Sequence, residues 1–263
     1  MRITAHKLFL LMSSIFLTVS VCYSSTDSKK EMYQLTMYHY KDAAQETVLN
    51  DYLKNALLPA LHKYGYKNIG VFRFIANDTA AVKTMVVYMP MKNVEANLAL
   101  ASKLNRDSNY QRAGAAYINA VYTDAAYTRM EVILLKAFAL AAQMELPKLT
   151  GAKKERIYEL RSYESATEKI FANKVQMFNE GGEIDLFKRL NFNAVFYGEV
   201  IAGSHMPNLM YMTSFENKAD REAHWKSFVD SPDWKKMSGL PQYQNNVSHI
   251  DIMFLQAMEY SDF

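Results

Sequence analysis

Along residues 31–40 apolar and polar positions alternate, with Tyr33, Leu35 and Met37 on one face and Gln34, Thr36 and Tyr38 on the other. A period of two marks a half-buried strand. The same alternation returns over 156–163, and further strands are predicted over 69–76, 83–89, 193–201 and 208–215. Two long apolar runs, 129–138 and 247–258, read as the closing strands. Between them lie helical stripes: Leu49, Leu53, Leu57, Leu61 and Tyr64 in one place, Phe171, Val175 and Phe178 in another. Ser165 with Glu168 has the pattern of a capping box, and Asn93 and Asn217 are natural N-caps for helices over 94–104 and 218–229. Pro59 and Gly181-Gly182 interrupt the two long helices, so each is expected to bend or split.

The order is therefore β-α-β-β-α-β, read twice. Three landmarks support a duplication. Tyr33-Gln34-Leu35-Thr36-Met37-Tyr38 returns as Tyr158-Glu159-Leu160-Arg161-Ser162-Tyr163 at an offset of 125 residues. Tyr88-Met89 returns as Tyr211-Met212, and Tyr110 is matched by Trp234 at an offset of 124. The expected fold class is α+β: two tandem ferredoxin-like units that bury their helix-free sheet faces against each other as an α+β barrel within one chain. The expected division is a leader at 1–25, a first unit at 26–140, a connection at 141–155 and a second unit at 156–263.

The second half resembles the NIPSNAP family of the dimeric α+β barrel superfamily. The resemblance lies in Tyr158–Tyr163, in Lys174-Val175-Gln176-Met177-Phe178-Asn179-Glu180-Gly181-Gly182-Glu183, in Ala219–Trp225 and in Ser231-Pro232-Asp233-Trp234, so it spans about residues 156–256. The first half resembles this fold in outline and lacks the Asn-Glu-Gly-Gly run. The resemblance implies a protein with no shared catalytic motif, in a superfamily similar in fold to cofactor-independent monooxygenases, haem-degrading enzymes and lactone isomerases. It also implies protein partners, although a secretory leader departs from the mitochondrial setting of the animal members.

That leader carries Arg2 and Lys7 ahead of an uncharged stretch from Leu8 to Cys22, followed by small residues, which is the order of a secretory signal. The expected location is periplasmic or secreted, with a lipid anchor at Cys22 as the alternative and no other contact with a membrane. Cys22 is the chain's one cysteine, so the remaining chain offers no thiol for a disulfide, a metal or nucleophilic chemistry. Formal charge is +3 over the whole chain, and two of those cations fall in the leader. No basic run remains that would serve a nucleic acid as partner.

Candidate chemistry follows from strand phase. If the apolar rows meet the helices, then Glu159, Arg161 and Tyr163, with Glu199 and Tyr197, line the space between the sheets. Arg161, Tyr163, Glu199 and Tyr211 are the candidate ligand-binding residues there, with His205 at the mouth in Gly203-Ser204-His205-Met206-Pro207. A planar guanidinium and flat phenolic walls suit a small aromatic or carbonyl ligand. The same residues also read as an internally satisfied polar ladder, Arg161 pairing with Glu159 or Glu199. No two of the histidines His39, His62, His205, His224 and His249 stand three to five residues apart, so spacing along the chain offers no metal site; His249 and Asp251 alternate onto one strand face as an isolated pair. No phosphate loop or nucleophile elbow is present, and no cofactor is expected. The expected function is a non-catalytic small-molecule or protein binding module. The alternative is a cofactor-independent monooxygenase or isomerase acting on an aromatic or carbonyl compound between the sheets.

Overall fold

The computed structural model describes residues 30–263, and the leader with Cys22 lies outside them. In the first half, β1 (Met32–Tyr40) leads into α1 (Ala43–Tyr52), a π-helical stretch (Leu53–Leu57) and α2 (Leu58–Lys63). Then come β2 (Gly70–Phe74), β3 (Lys83–Met91), α3 (Val94–Arg106), α4 (Ser108–Ala113), α5 (Ala115–Ile118) and β4 (Arg129–Ala137). The second half repeats the order with β5 (Ile157–Glu164), α6 (Glu168–Asn179), α7 (Glu183–Arg189), β6 (Phe196–Ala202) and β7 (Asn208–Phe215). It ends with α8 (Lys218–Asp230), α9 (Pro232–Ser238) and β8 (His249–Ala257). Among the described residues no helix is long and apolar enough to cross a membrane.

The eight strands close into one antiparallel barrel in the order β1-β3-β2-β8-β5-β7-β6-β4. Two seams join the halves. Phe72 pairs with Ala257 across β2 and β8, and Leu135 pairs with Val200 across β4 and β6. Closure leaves no sheet edge with unpaired backbone groups.

The breakers act where the sequence places them. α2 restarts with Pro59 in its first turn after the π-helical stretch, and Gly182, at φ 94°, separates α6 from α7. Asn93 and Asn217 accept backbone N–H groups of Ala96 and Asp220 and cap α3 and α8. The expected capping box at Ser165 does not form. Thr167 accepts from Ile170 N instead, because the Ser165 hydroxyl is engaged in donating to Asn246 O, and Glu168 is already the first helical residue.

The strands face the opposite way to the sequence expectation, with the apolar rows inside the barrel and the polar rows under the helices. Tyr33, Leu35, Tyr158, Leu160, Met210 and Met212 fill the barrel interior, where Tyr88 stacks on Phe196 with centroids 5.0 Å apart. Phe263 folds into the same core against Phe72, Tyr88 and Tyr158. The polar row of β5 faces the helices. A closed interior holds no backbone or water to satisfy charges, so it takes the apolar row. The outer row is covered by helices that bring their own polar partners.

Candidate functional site

The outer face of the second-half sheet, roofed by α6, α8 and α9, holds a cleft of about 620 Å³. Its floor is built by strand alternation and register. Arg161 and Tyr163 point outward from β5, and register puts Tyr211 of β7 beside Arg161 and Ile250 of β8 beside Tyr163. Its walls include Lys174, Glu183, Arg221, Trp225, Phe228 and Trp234.

Glu159 anchors the polar side. It is fully buried, lies 2.5 Å from the Arg161 guanidinium, and accepts from Arg221 Nε at 2.7 Å and Trp225 Nε1 at 2.9 Å. Its oxygens are thus committed to donors. Trp225 is held against the sheet by that bond, and Arg161 Cζ lies 3.6 Å from the Trp225 ring centroid. Arg161 Nη1 donates to Tyr163 Oη at 3.0 Å, and that hydroxyl meets Tyr211 Oη at 2.8 Å. Burial opposes the Arg161 charge, but Tyr211, Tyr163 and Glu159 outweigh it and hold its pKa above the ordinary guanidinium value. Burial, with Tyr163 next, keeps the Tyr211 hydroxyl protonated far above its usual range.

Lys174 reaches into the cleft from α6. Its Nζ is 2.9 Å from Glu183 and 4.6 Å from the Phe178 ring centroid, and both members of the ion pair are almost fully buried. The Gly181-Gly182 break turns the chain so that Glu183, at the start of α7, comes back to Lys174. Asn246 adds a buried side-chain amide whose Nδ2 has no partner. Arg161, Arg221 and Lys174 therefore face the anions Glu159 and Glu183, with Glu222 touching Arg221 only from the solvent side. One positive charge and an unused donor face an aromatic cleft.

The first half carries an uncharged counterpart. Gln34, Thr36, Asn97 and Ala101 stand where the second half has Glu159, Arg161, Arg221 and Trp225, and they line a smaller cavity of about 250 Å³. Asn97 Nδ2 donates to Gln34 Oε1 at 2.6 Å, and Gln34 Nε2 donates to Thr36 Oγ1 at 2.9 Å. The polar connections persist without charge or tryptophan.

Of the five residues singled out from sequence, Arg161, Tyr163 and Tyr211 come together, on the outer sheet face rather than between the sheets. Glu199 shares that face, paired in register with Leu209 and Lys136, but does not line the cleft. Its place beside Arg161 is taken by Glu159. His205 is more than half exposed in the β6–β7 loop and lies 2.8 Å from Glu164, away from the cleft. Sequence reasoning missed Lys174, Glu183, Asn246 and Trp225 as parts of the site. The available signal was Arg221 and Trp225 one helical turn apart on α8, above a strand carrying Glu159 and Arg161.

These features define an α+β barrel with a cationic, aromatic cleft on one half. Residues 158–262, which include every cleft residue, match the NIPSNAP family model, so this part of the chain is similar to a NIPSNAP domain. Over most of its length, the chain is similar in structure to a candidate monooxygenase from Lactobacillus acidophilus, with TM-score 0.55, 13% identity and coverage of 87% of this chain and 94% of that one. A second candidate monooxygenase, from Fusobacterium nucleatum, gives TM-score 0.57 at 7% identity over 88% and 94% of the two chains. An anthrone oxidase-like protein gives TM-score 0.51 at 9% identity over 88% and 93%. At such identities the likeness is one of fold. No curated protein matches by sequence.

Proposed function

We propose that the protein is a small-molecule binding module whose ligand is a planar, anionic aromatic compound, a carboxylate above all, held in the outer cleft of the second half. The observation that carries this reading is the unbalanced positive charge of Arg161, Arg221 and Lys174 set against the Trp225, Trp234 and Phe228 walls. A guanidinium already stacked and oriented loses little freedom when it takes a carboxylate in its fork. Absence of turnover is the favoured reading because both cleft carboxylates, Glu159 and Glu183, are committed to cations and neither serves as a free base.

The second reading is a cofactor-independent monooxygenase or isomerase acting on an aromatic or carbonyl compound. It draws on the Tyr163–Tyr211 hydroxyl pair beside Arg161, a proton path to a bound carbonyl oxygen, and on fold neighbours described as candidate monooxygenases. We also hold to the proposal that the chain is exported on its leader and that its halves are ferredoxin-like units joined in tandem.

A thermal-shift panel of aromatic acids, quinones and haem, run on the wild type, Arg161→Ala and Tyr163→Phe, tests the reading. Stabilisation of the wild type by aromatic acids and its loss in Arg161→Ala are expected. Oxygen uptake or isomerised product with the binding compound would move the assignment to the enzyme. Equal indifference of all three proteins to every compound would remove the cleft as a ligand site.

A further inference from the structure

The inner face of β5 ends at one mouth of the barrel with Glu164. Register places Asn208 of β7 on one side of it and His249 of β8 on the other, and Asp251 lies opposite Ser162 one step further in. All these side chains share the inward face, because Leu160, Met210 and Leu255 of the same rows fill the interior. Ligand atoms of Glu164, His249 and Asp251 lie within 4.8 Å of one another. Two atoms that each sit about 2.1 Å from one ion are at most about 4.2 Å apart, so small side-chain rotations complete the set.

Acidic surface groups sit close together in many proteins without binding anything. This mouth differs in holding buried acceptors that lack donors. Glu164 Oε1 is inaccessible to solvent and has no hydrogen-bond partner; His205 Nδ1 stands 2.8 Å away but outside hydrogen-bond geometry. Asn208, 2% exposed, spends its Nδ2 on Ser162 Oγ at 2.9 Å and leaves Oδ1 buried without a donor. Among the described residues no lysine or arginine pairs with Glu164 or Asp251. Two buried oxygens lack a hydrogen-bond donor here, and one bound cation would satisfy both.

The first half shows the same positions satisfied from within. His39 stands where the second half has Glu164, and it bonds Glu131 at 2.8 Å and Thr84 at 3.1 Å, the counterparts of Asp251 and Asn208. There a single imidazole bridges the two acceptors. In the second half a carboxylate, Glu164, takes that central position, with the imidazoles of His205 and His249 at its edge rather than between the acceptors.

We propose that the mouth formed by Glu164, His249 and Asp251 binds a divalent first-row cation, with Asn208 Oδ1 and the loop imidazole of His205 as further donors. Mixed imidazole and carboxylate donors suit Zn²⁺, Fe²⁺ or Mn²⁺ rather than Mg²⁺ or a soft thiophilic ion. Asp251 and His205 are open to solvent, which leaves the ion accessible rather than sealed as a structural centre. The site lies across the sheet from the aromatic cleft and does not depend on a ligand there.

The test is a titration of the metal-free protein with Co²⁺, read by its visible absorption, followed by displacement with Zn²⁺. Bands that saturate at one equivalent are expected. His249→Ala, Asp251→Asn and Glu164→Gln should each weaken binding by about tenfold or more, while His224→Ala, a histidine on α8, leaves it unchanged. Should a variant fail to fold by circular dichroism, Mn²⁺ broadening of the wild-type NMR spectrum decides the matter: broadening confined to the neighbourhood of 164, 208 and 249–251 supports the site. Lack of saturation, variants that bind like the wild type, or broadening centred elsewhere would each overturn it.

Discussion

The guanidinium of Arg161 lies 3.6 Å from the ring centroid of Trp225, and a single carboxylate, Glu159, fixes both of them. Replacing Trp225 therefore removes two things at once, the ring against Arg161 and the N–H to Glu159. Trp225→Leu is expected to lower affinity for aromatic acids by about tenfold, the scale of a largely desolvated cation–π contact of about 1–2 kcal/mol. Trp225→Phe keeps a ring and should fall between the two. Calorimetric titration of the three proteins checks the order.

Lys174 and Glu183 form a buried pair across the Gly181-Gly182 break. Lys174→Met is expected to cost about 3–5 kcal/mol of stability, because Glu183 would be left buried without its cation. Lys174→Met combined with Glu183→Leu should recover most of that loss while ligand affinity stays low. Urea unfolding of the single and double variants, set beside binding, separates the two effects.

Asp107 caps α4 and receives hydrogen bonds from Lys63 and Tyr64, and the Lys63 bond, then the Tyr110 N–H, hold its carboxyl at about 2 against an ordinary 3.8. A lowered folded pKa means that the unfolded chain binds more protons across this range. The stabilisation is therefore complete above the ordinary carboxylate value and lost as pH falls towards 2. Asp107→Asn should lower stability at neutral pH and flatten the acid unfolding curve in that window, as followed by circular dichroism.

Phe263 is 4% exposed within the barrel core. Phe263→Ala is expected to cost about 3–5 kcal/mol, the ordinary loss for a buried phenylalanine. Ligand binding in the cleft, on the opposite face of the sheet, should survive wherever the variant remains folded. Denaturant unfolding followed by ligand titration at low temperature shows whether core and cleft are separable.

Much of the fold is legible in the sequence because period-two strands, helical stripes and Asn caps are local signals, and the repeated Tyr-x-Leu-x-x-Tyr row fixes their order. The facing of the strands is not a local property. Arg161 and Leu160 alternate whichever side is covered, and only closure of the barrel decides that Leu160 goes inside. Arg161, Tyr163 and Tyr211 could be grouped from strand pairing, whereas Lys174 and Glu183 needed the turn at Gly182. Glu164 and His249 are far apart in the chain and meet through register alone.

The outer cleft of the second half is expected to select an anionic aromatic compound. The chain has two tryptophans, and both Trp225 and Trp234 line that cleft, so intrinsic fluorescence reports on it directly. The deciding measurement is a fluorescence titration with 4-nitrobenzoate and with its neutral amide, on the wild type and on Arg161→Ala. Saturable quenching by the acid is expected in the wild type, weaker by about tenfold with the amide and weaker by a similar factor in Arg161→Ala. Quenching that never saturates, or that is equal for acid and amide, or that Arg161→Ala leaves intact, would contradict the claim.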